Sequence, residues 1–252
     1  MLTSFEIFAL GVIGAIAGFM NVLAGGGSLL SVPALILFGL PGPVANGTNR
    51  IAILAQAAVA TAAYFKRGIR NIRLSATLSL SLLPGAIVGA YWGTRLEGVF
   101  FNRMLAIVMI CVLLTMAFEG KIKNKPELAD DKTILKNPVL VHILTGVLGF
   151  YGGTIHIGIG FFIMAILHRV GGLSLIETNM QKMAIVIPYS VLVLLIFRGE
   201  VGIAWSAGIA LAVGNSLGGL LGVRLSIKRG EKYVKRIFYI CISILICKLM
   251  LG

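Results

Sequence analysis

Gly25-Gly26-Gly27-Ser28 interrupts an apolar stretch and is followed by a further apolar run, 29–38. Three consecutive glycines abolish helix and leave backbone N–H groups unobstructed at the start of the helix that follows. Unpaired amides and the positive end of a helix dipole then point at one spot, a geometry that binds anions. Ser28 is placed as the N-cap of that helix, and Pro33, at its sixth position, loosens it. A second break, Gly158-Ile159-Gly160, keeps two glycines and has His156 close by. A histidine at membrane depth reads in two ways: as a ligand donor or proton carrier, or as a neutral imidazole satisfied by a neighbouring carbonyl. Two cations complete the pattern. Arg50 follows Thr48-Asn49, and Lys182 follows Thr178-Asn179; each sits seven or eight residues into a helix, roughly 10 Å along it. A charge at that depth must be paired, be bound to something, or snorkel to the nearer surface. Two amide nests and two cations make a site for an anion. The candidate substrate-binding residues are therefore Gly25, Gly26, Gly27, Ser28, Thr48, Asn49, Arg50, His156, Gly158, Gly160, Thr178, Asn179 and Lys182.

Other chemistries find less support. A serine hydrolase using Ser28 and His156 needs an acid to orient the base, and no Asp or Glu stands at depth, so no catalytic residue is assigned. Glu177 follows Ser174 at the capping-box spacing, which favours a structural role over proton coupling. No carboxylate cluster suits sodium or a divalent metal, so no metal or cofactor is expected, and proton coupling or uniport is favoured over ion cotransport. Asn46, Asn49 and Gln56 share one helical face and could line a pathway with Asn179 and Asn215. Cys111, Cys241 and Cys247 have no metal-ligand spacing and read as packed thiols.

The elements that position these residues come in two copies about 130 residues apart: Gly18-Phe19 recurs as Gly149-Phe150, and Thr48-Asn49 as Thr178-Asn179. A duplicated unit with interrupted apolar segments is the mark of a secondary transporter whose site lies between its halves. Composition agrees, with 58% hydrophobic and 12% charged residues and a mean hydropathy of +0.98, values that exclude a soluble domain. The net charge of +13 resides in short basic clusters between apolar runs, which orient a membrane protein rather than bind nucleic acid. Spans are expected at 44–65, 74–94, 101–118, 175–197, 203–225 and 237–251. Each copy opens with a longer run (5–23; 139–155) and a short one (29–38; 161–168). Ten helical residues cover only ~15 Å, so the opening unit is read as a hairpin with its tip inside the membrane. The segment at the chain start has an internal counterpart and lacks a basic n-region, so it is read as retained and not as a cleaved signal peptide.

Lys66, Arg67, Arg70 and Arg73 mark one cytoplasmic loop, the lysines of 119–137 a second, and Lys228 to Arg236 a third. Equivalent loops of the two copies carry opposite charge character, so the copies insert with opposite topology. The expected fold is an all-α integral membrane protein of two inverted-topology repeats, each a broken-helix hairpin plus three transmembrane helices. Its parts are repeat 1 at 1–118, a cytoplasmic linker at 119–137 and repeat 2 at 138–252. The glycines spaced by four, Gly85, Gly89, Gly93 and Gly214, Gly218, Gly222, are read as close helix contacts.

The chain resembles the TauE/SafE sulfite-exporter family, in particular its YfcA-like branch of membrane transporters. The resemblance rests on Gly18-Phe19, Ala24-Gly25-Gly26-Gly27-Ser28, Val32-Pro33-Ala34-Leu35, Gly39-Leu40-Pro41, Gly47-Thr48-Asn49-Arg50 and Arg67-Gly68, and on Gly149-Phe150-Tyr151-Gly152-Gly153 with Gly158-Ile159-Gly160. It spans nearly the whole chain apart from the linker. It implies a multi-pass transporter of a prokaryotic inner (plasma) membrane that exports sulfite or organosulfonates such as sulfoacetate. His156 stands where the resemblance leads one to expect glycine, and Arg50 where lysine is common. The sequence reading is thus a proton-coupled, alternating-access anion transporter, with a small anionic substrate and the lipid bilayer as partners and a homodimer left open. An anion channel is the alternative.

Overall fold

The structure, a computed structural model, describes residues 3–96, 98–117 and 135–228. Among these there is no strand; the chain forms helices α1 (Ser4–Ala24), α2 (Ser28–Leu37), α3 (Gly42–Phe65), α4 (Ile72–Gly93), α5 (Gly98–Ala117), α6 (Pro138–Thr154), α7 (Ile159–Met164), α8 (Leu175–Glu200) and α9 (Trp205–Lys228). The expected span at 237–251, most of the linker and the basic cluster beyond Lys228 lie outside the described residues.

Helix boundaries follow from capping chemistry. Thr3 and Glu6 close a capping box on α1, and Ser174 and Glu177 close another on α8, with Glu177 N–H donating to Ser174 Oγ at 3.2 Å. Each satisfies amide donors that a helix start leaves open, so Glu177 has the structural role that its spacing predicts. Asn71 caps α4 through Leu74 N–H. α1 stops at Gly25, whose φ of +89° only glycine adopts cheaply.

The second short helix departs from expectation. It begins at Ile159, with Gly158 (φ +72°) as its N-cap, so Gly160 lies inside the first turn and the break comprises 155–158. After six residues the backbone widens into a π-helical turn, Ala165–Val170, with Gly171 N–H closing on Ile166 O at 2.9 Å.

Among the described residues, four helices are long and apolar enough to cross a membrane: Ser4–Leu23, Ile72–Gly93, Leu175–Glu200 and Trp205–Ser226. α1 is therefore sufficient by itself, because nothing charged interrupts its apolar run after Glu6. α3 has the length, at 24 residues, but its row of polar residues from Asn46 to Gln56 keeps it out of that group.

Small residues set the packing. A methyl on Gly218 would come within 1.9 Å of Ala15 O, and one on Gly14 within 2.7 Å of Leu211 O, so α1 and α9 run side by side in the same direction. In the same way a methyl on Gly89 would come within 2.0 Å of Phe150 O and one on Gly153 within 2.1 Å of Ala86 O, which seats α6 along α4, again parallel. Removing side chains at the contact lets backbones approach and gain dispersion contacts that a lipid-facing surface cannot supply. α3 runs parallel to α9, tied by Ala204 N–H to Thr48 Oγ1 (3.0 Å) near one end and Tyr64 to Ser226 (3.4 Å) at the other. It runs antiparallel to α8, with Gly47 against Phe197 and Tyr64 clustered with Met180.

Candidate functional site

The two breaks meet. A Cβ on Gly25 would lie 2.4 Å from the Gly160 carbonyl carbon, and one on Gly160 would lie 2.4 Å from Gly25 Cα. Both glycines therefore serve close backbone approach. Gly27 is the N-cap of α2 and is held against Ala17 O, while Gly26 O and Gly27 O accept the N–H groups of Leu29 and Leu30, each at 3.0 Å, to close the first turn. Ser28 is the first residue of that helix and is buried.

Each break ends a helix whose final turn leaves carbonyls short of intrahelical donors, although Asn21 O still accepts Gly25 N–H at 2.9 Å, and whose dipole presents negative charge there. The two cations answer that need, each from another part of the chain. Lys182 on α8 reaches the end of α1, donating to Asn21 O at 3.0 Å and Val22 O at 3.1 Å, and also to Asn179 Oδ1 at 2.8 Å. Arg50 on α3 reaches the end of α6, with Nη2 donating to Gly153 O at 3.0 Å, and Asn46 Nδ2 donates to Thr154 O at 2.8 Å beside it. Neither cation snorkels, since Arg50 is 0% and Lys182 1% exposed. Their partners at the helix ends are backbone oxygens, which no side-chain inventory reveals.

The cations differ in what remains unused. Three oxygens surround the Lys182 ammonium, which has three N–H bonds. Arg50 has five N–H bonds, yet its Nε and Nη1 have no partner. Asn49, next in the chain, accepts from Ser31 Oγ of α2 at 2.6 Å through Oδ1, and its Nδ2 is also unpartnered. Phe197 on α8 lies under the guanidinium, 5.7 Å from ring centroid to Cζ, a cation–π contact that holds its plane. Buried donors without acceptors are costly unless something else fills them, and here they belong to a cation.

His156 lies in the second break, with φ +65°, the one non-glycine positive φ among the described residues. That backbone conformation explains why glycine is the expected residue there. Its Nδ1 is hydrogen-bonded to Tyr189 Oη of α8, and the neighbouring Tyr151 Oη donates to Ile157 O. No hydrogen bond joins Ser28 to His156 among the described residues.

Several expected members have other duties. Thr48 anchors the segment before α9 through Ala204 N–H, Asn179 orients Lys182, and Gln56 bonds Gly18 O (2.7 Å) and Asn21 Nδ2 (2.9 Å). Thr178 is fully buried with its Oγ1 unpartnered. Tyr189, Ser31 and Phe197 are the neighbours that sequence reasoning missed. A lone tyrosine after Pro188 in an otherwise apolar run was the available signal for the first.

The chain is similar in sequence to known proteins. The family model described as "Sulfite exporter TauE/SafE" matches residues 10–249. The chain belongs to the TauE/SafE family. Relatives within reach of that family's pattern include a probable membrane transporter protein, ORF9, of a Sinorhizobium species, 27% identical over 89% of this chain and 85% of that protein. Another is the probable membrane transporter protein YfcA of Escherichia coli K12, 24% identical over 93% and 86%. A probable membrane transporter protein of Haemophilus influenzae is 24% identical over 88% and 86%. No solved structure matches the chain. As a TauE/SafE protein with several long apolar helices, it is a probable membrane transporter of the multi-pass kind.

Proposed function

We propose that this TauE/SafE protein exports a small sulfur-containing anion, such as sulfite or an organosulfonate, across a bacterial inner membrane by alternating access. The observation that carries the reading is the Arg50 guanidinium, fully buried with Nε and Nη1 unpartnered; the Nδ2 of the preceding residue, Asn49, is unpartnered as well. A transported oxyanion supplies what such donors lack, and the amides at the start of α2 lie on the same side of α3, as the Ser31–Asn49 bond records. Sulfite enters through the family's printed description, and the bacterial relatives favour the inner membrane.

Helix directions favour an inverted arrangement of two halves. α1 runs with α3 and α9, whereas α6 runs with α4, so the two opening helices point opposite ways. Alternating access draws support from a difference between the two ends. A cleft of about 580 Å³ opens where α2 ends and α3 begins, lined by Leu40, Gly42, Asn102 and Glu200 among others. The counterpart corner, between the start of α8 and the start of α4, has no room for a water molecule. There Gln181 closes the gap, accepting from Ser75 Oγ at 2.7 Å and donating to Asn71 O at 3.1 Å.

Sulfite and sulfoacetate flux into proteoliposomes tests the reading. Saturable flux in the wild-type protein, with Arg50→Gln reducing it at least tenfold while the protein inserts normally, is expected. Undiminished flux in Arg50→Gln would remove the reading's main support.

A further inference from the structure

His156, Tyr189 and Arg50 come from three different parts of the chain and converge at the second break. Tyr189 is fully buried and His156 nearly so; their rings lie 5.6 Å apart, centroid to centroid, joined by the Nδ1–Oη hydrogen bond. The Arg50 guanidinium sits within electrostatic reach of both. Other elements bring few charges to this place. From α6 comes Tyr151, whose hydroxyl is bonded to Ile157 O; α2 and α7 contain no charged residue, and the one charge on α1, Glu6, lies at its far end. On α8, Glu177 and Glu200 stand at opposite ends, Arg198 lies over Trp205, and Lys182 is at the first break, bonded to Asn21 O, Val22 O and Asn179 Oδ1. Among the described residues His156 is thus the one side chain at the breaks whose ordinary pKa falls near neutrality. It is kept there at the backbone cost of a positive φ, which L side chains rarely adopt.

We propose that His156 binds the coupling proton, and that Tyr189 turns its hydroxyl from His156 to the anion when that proton arrives. This rests on the reading of Arg50 as the anion-binding group. In the empty state of the proposal, Tyr189 O–H donates to Nδ1 of a neutral imidazole whose ring proton is on Nε2. When an oxyanion settles on the free N–H bonds of Arg50, its charge favours the imidazolium. A proton from water then occupies Nδ1, which donates to Tyr189 Oη. The tyrosine hydrogen must find another acceptor, and the bound anion supplies one in competition with the buried, unpartnered Ser190 Oγ. Nothing is consumed but one proton. Because linkage is reciprocal, proton binding strengthens anion binding by the same factor. The sign follows: affinity is greatest at low pH, where the imidazole is protonated, and falls as pH rises through its pKa.

Sulfate and methanesulfonate serve as probes because neither takes up a proton between about pH 5.5 and 8, the range in which a histidine titrates. Calorimetric titration of the full-length protein in nanodiscs, in buffers of different ionisation heat, gives both the dissociation constant and the protons taken up. In the wild type, binding should tighten by up to roughly tenfold per pH unit of acidification above the imidazole's pKa, with up to one proton absorbed per anion. His156→Asn tolerates the positive φ and cannot titrate, so it should bind with pH-independent affinity and no proton uptake. Tyr189→Phe should weaken binding roughly fivefold at low pH and leave the high-pH affinity unchanged. A purely structural hydroxyl would shift both equally. Binding that is independent of pH in the wild type, or a pH slope that survives in His156→Asn, overturns the proposal while leaving the Arg50 reading intact. If neither anion binds at any pH, the Arg50 reading fails and takes this proposal with it.

Discussion

Arg50 and Lys182 occupy related places, one on α3 and one on α8, each following a Thr-Asn pair and each extending to the last carbonyls of an opening helix. What separates them is occupancy. Lys182 has three oxygen neighbours, two carbonyls and Asn179 Oδ1, which matches the capacity of an ammonium. Arg50 gives one bond to Gly153 O and has two nitrogens to spare. A point charge with its valence filled holds two helices together; a planar fork with donors left over can hold them and still receive a ligand. The lesson is that a buried cation in a membrane protein is not itself evidence of a binding site. The count of its unused donors is.

That contrast can be broken or sharpened by substitution, beginning with what the two breaks share. Gly25→Leu or Gly160→Leu places a side chain against backbone at 2.4 Å, where nothing flexible can yield. Each should lower stability by about 3 kcal/mol or prevent folding, read as thermal unfolding in detergent; tolerance of either would mean that the breaks are not in contact. Lys182→Met should come next. It strands Val22 O and Asn179 Oδ1, while Asn21 O keeps the Gly25 N–H; the loss of a charged donor is expected to cost about 2–3 kcal/mol of stability, while sulfite affinity changes less than about threefold. Arg50→Gln should show the converse, with anion affinity falling by about 2 kcal/mol, roughly 30-fold, and stability by about 1 kcal/mol for the single carbonyl bond lost. Equal profiles for the two variants would erase the distinction. The smallest effects belong to the neighbouring amides: Asn49→Ala should weaken anion binding by about 1 kcal/mol and Asn179→Ala should lower stability by about as much, each with little effect on the other property.

Much of the architecture was legible from the chain itself. Apolar runs bounded by Gly, Pro and capping residues placed nearly every described helix, and the Ser174–Glu177 spacing announced its capping box. The glycines spaced by four predicted helix contacts because a bare Cα is the one surface over which two backbones can close. The glycine breaks were legible too, but their partner was not: that Gly25 meets Gly160 is a matter of how the halves pack, and glycine has no side chain to advertise it. Gly160 was misplaced by two residues, since the positive φ of Gly158 and not the glycine pair sets the start of α7. The site was half visible. Arg50, Asn49 and His156 stood out as polar residues in apolar runs, yet their binding partners include the carbonyls of Gly153 and Thr154 at the end of α6, and every residue has a carbonyl. Sequence therefore weighted Arg50 and Lys182 equally, and only the hydrogen-bond geometry separates them.

The most direct test of the central claim is to see where an anion sits. A structure of the protein in nanodiscs or crystals with selenite, a heavier analogue of sulfite located by its anomalous scattering, would place it without reference to transport. The account predicts a selenite oxygen at about 3 Å from Arg50 Nε or Nη1, a charge-assisted hydrogen-bond distance, with the Lys182 ammonium still on Asn21 and Val22. Selenite against Lys182, or an Arg50 whose N–H bonds remain empty in a protein that transports, would contradict it.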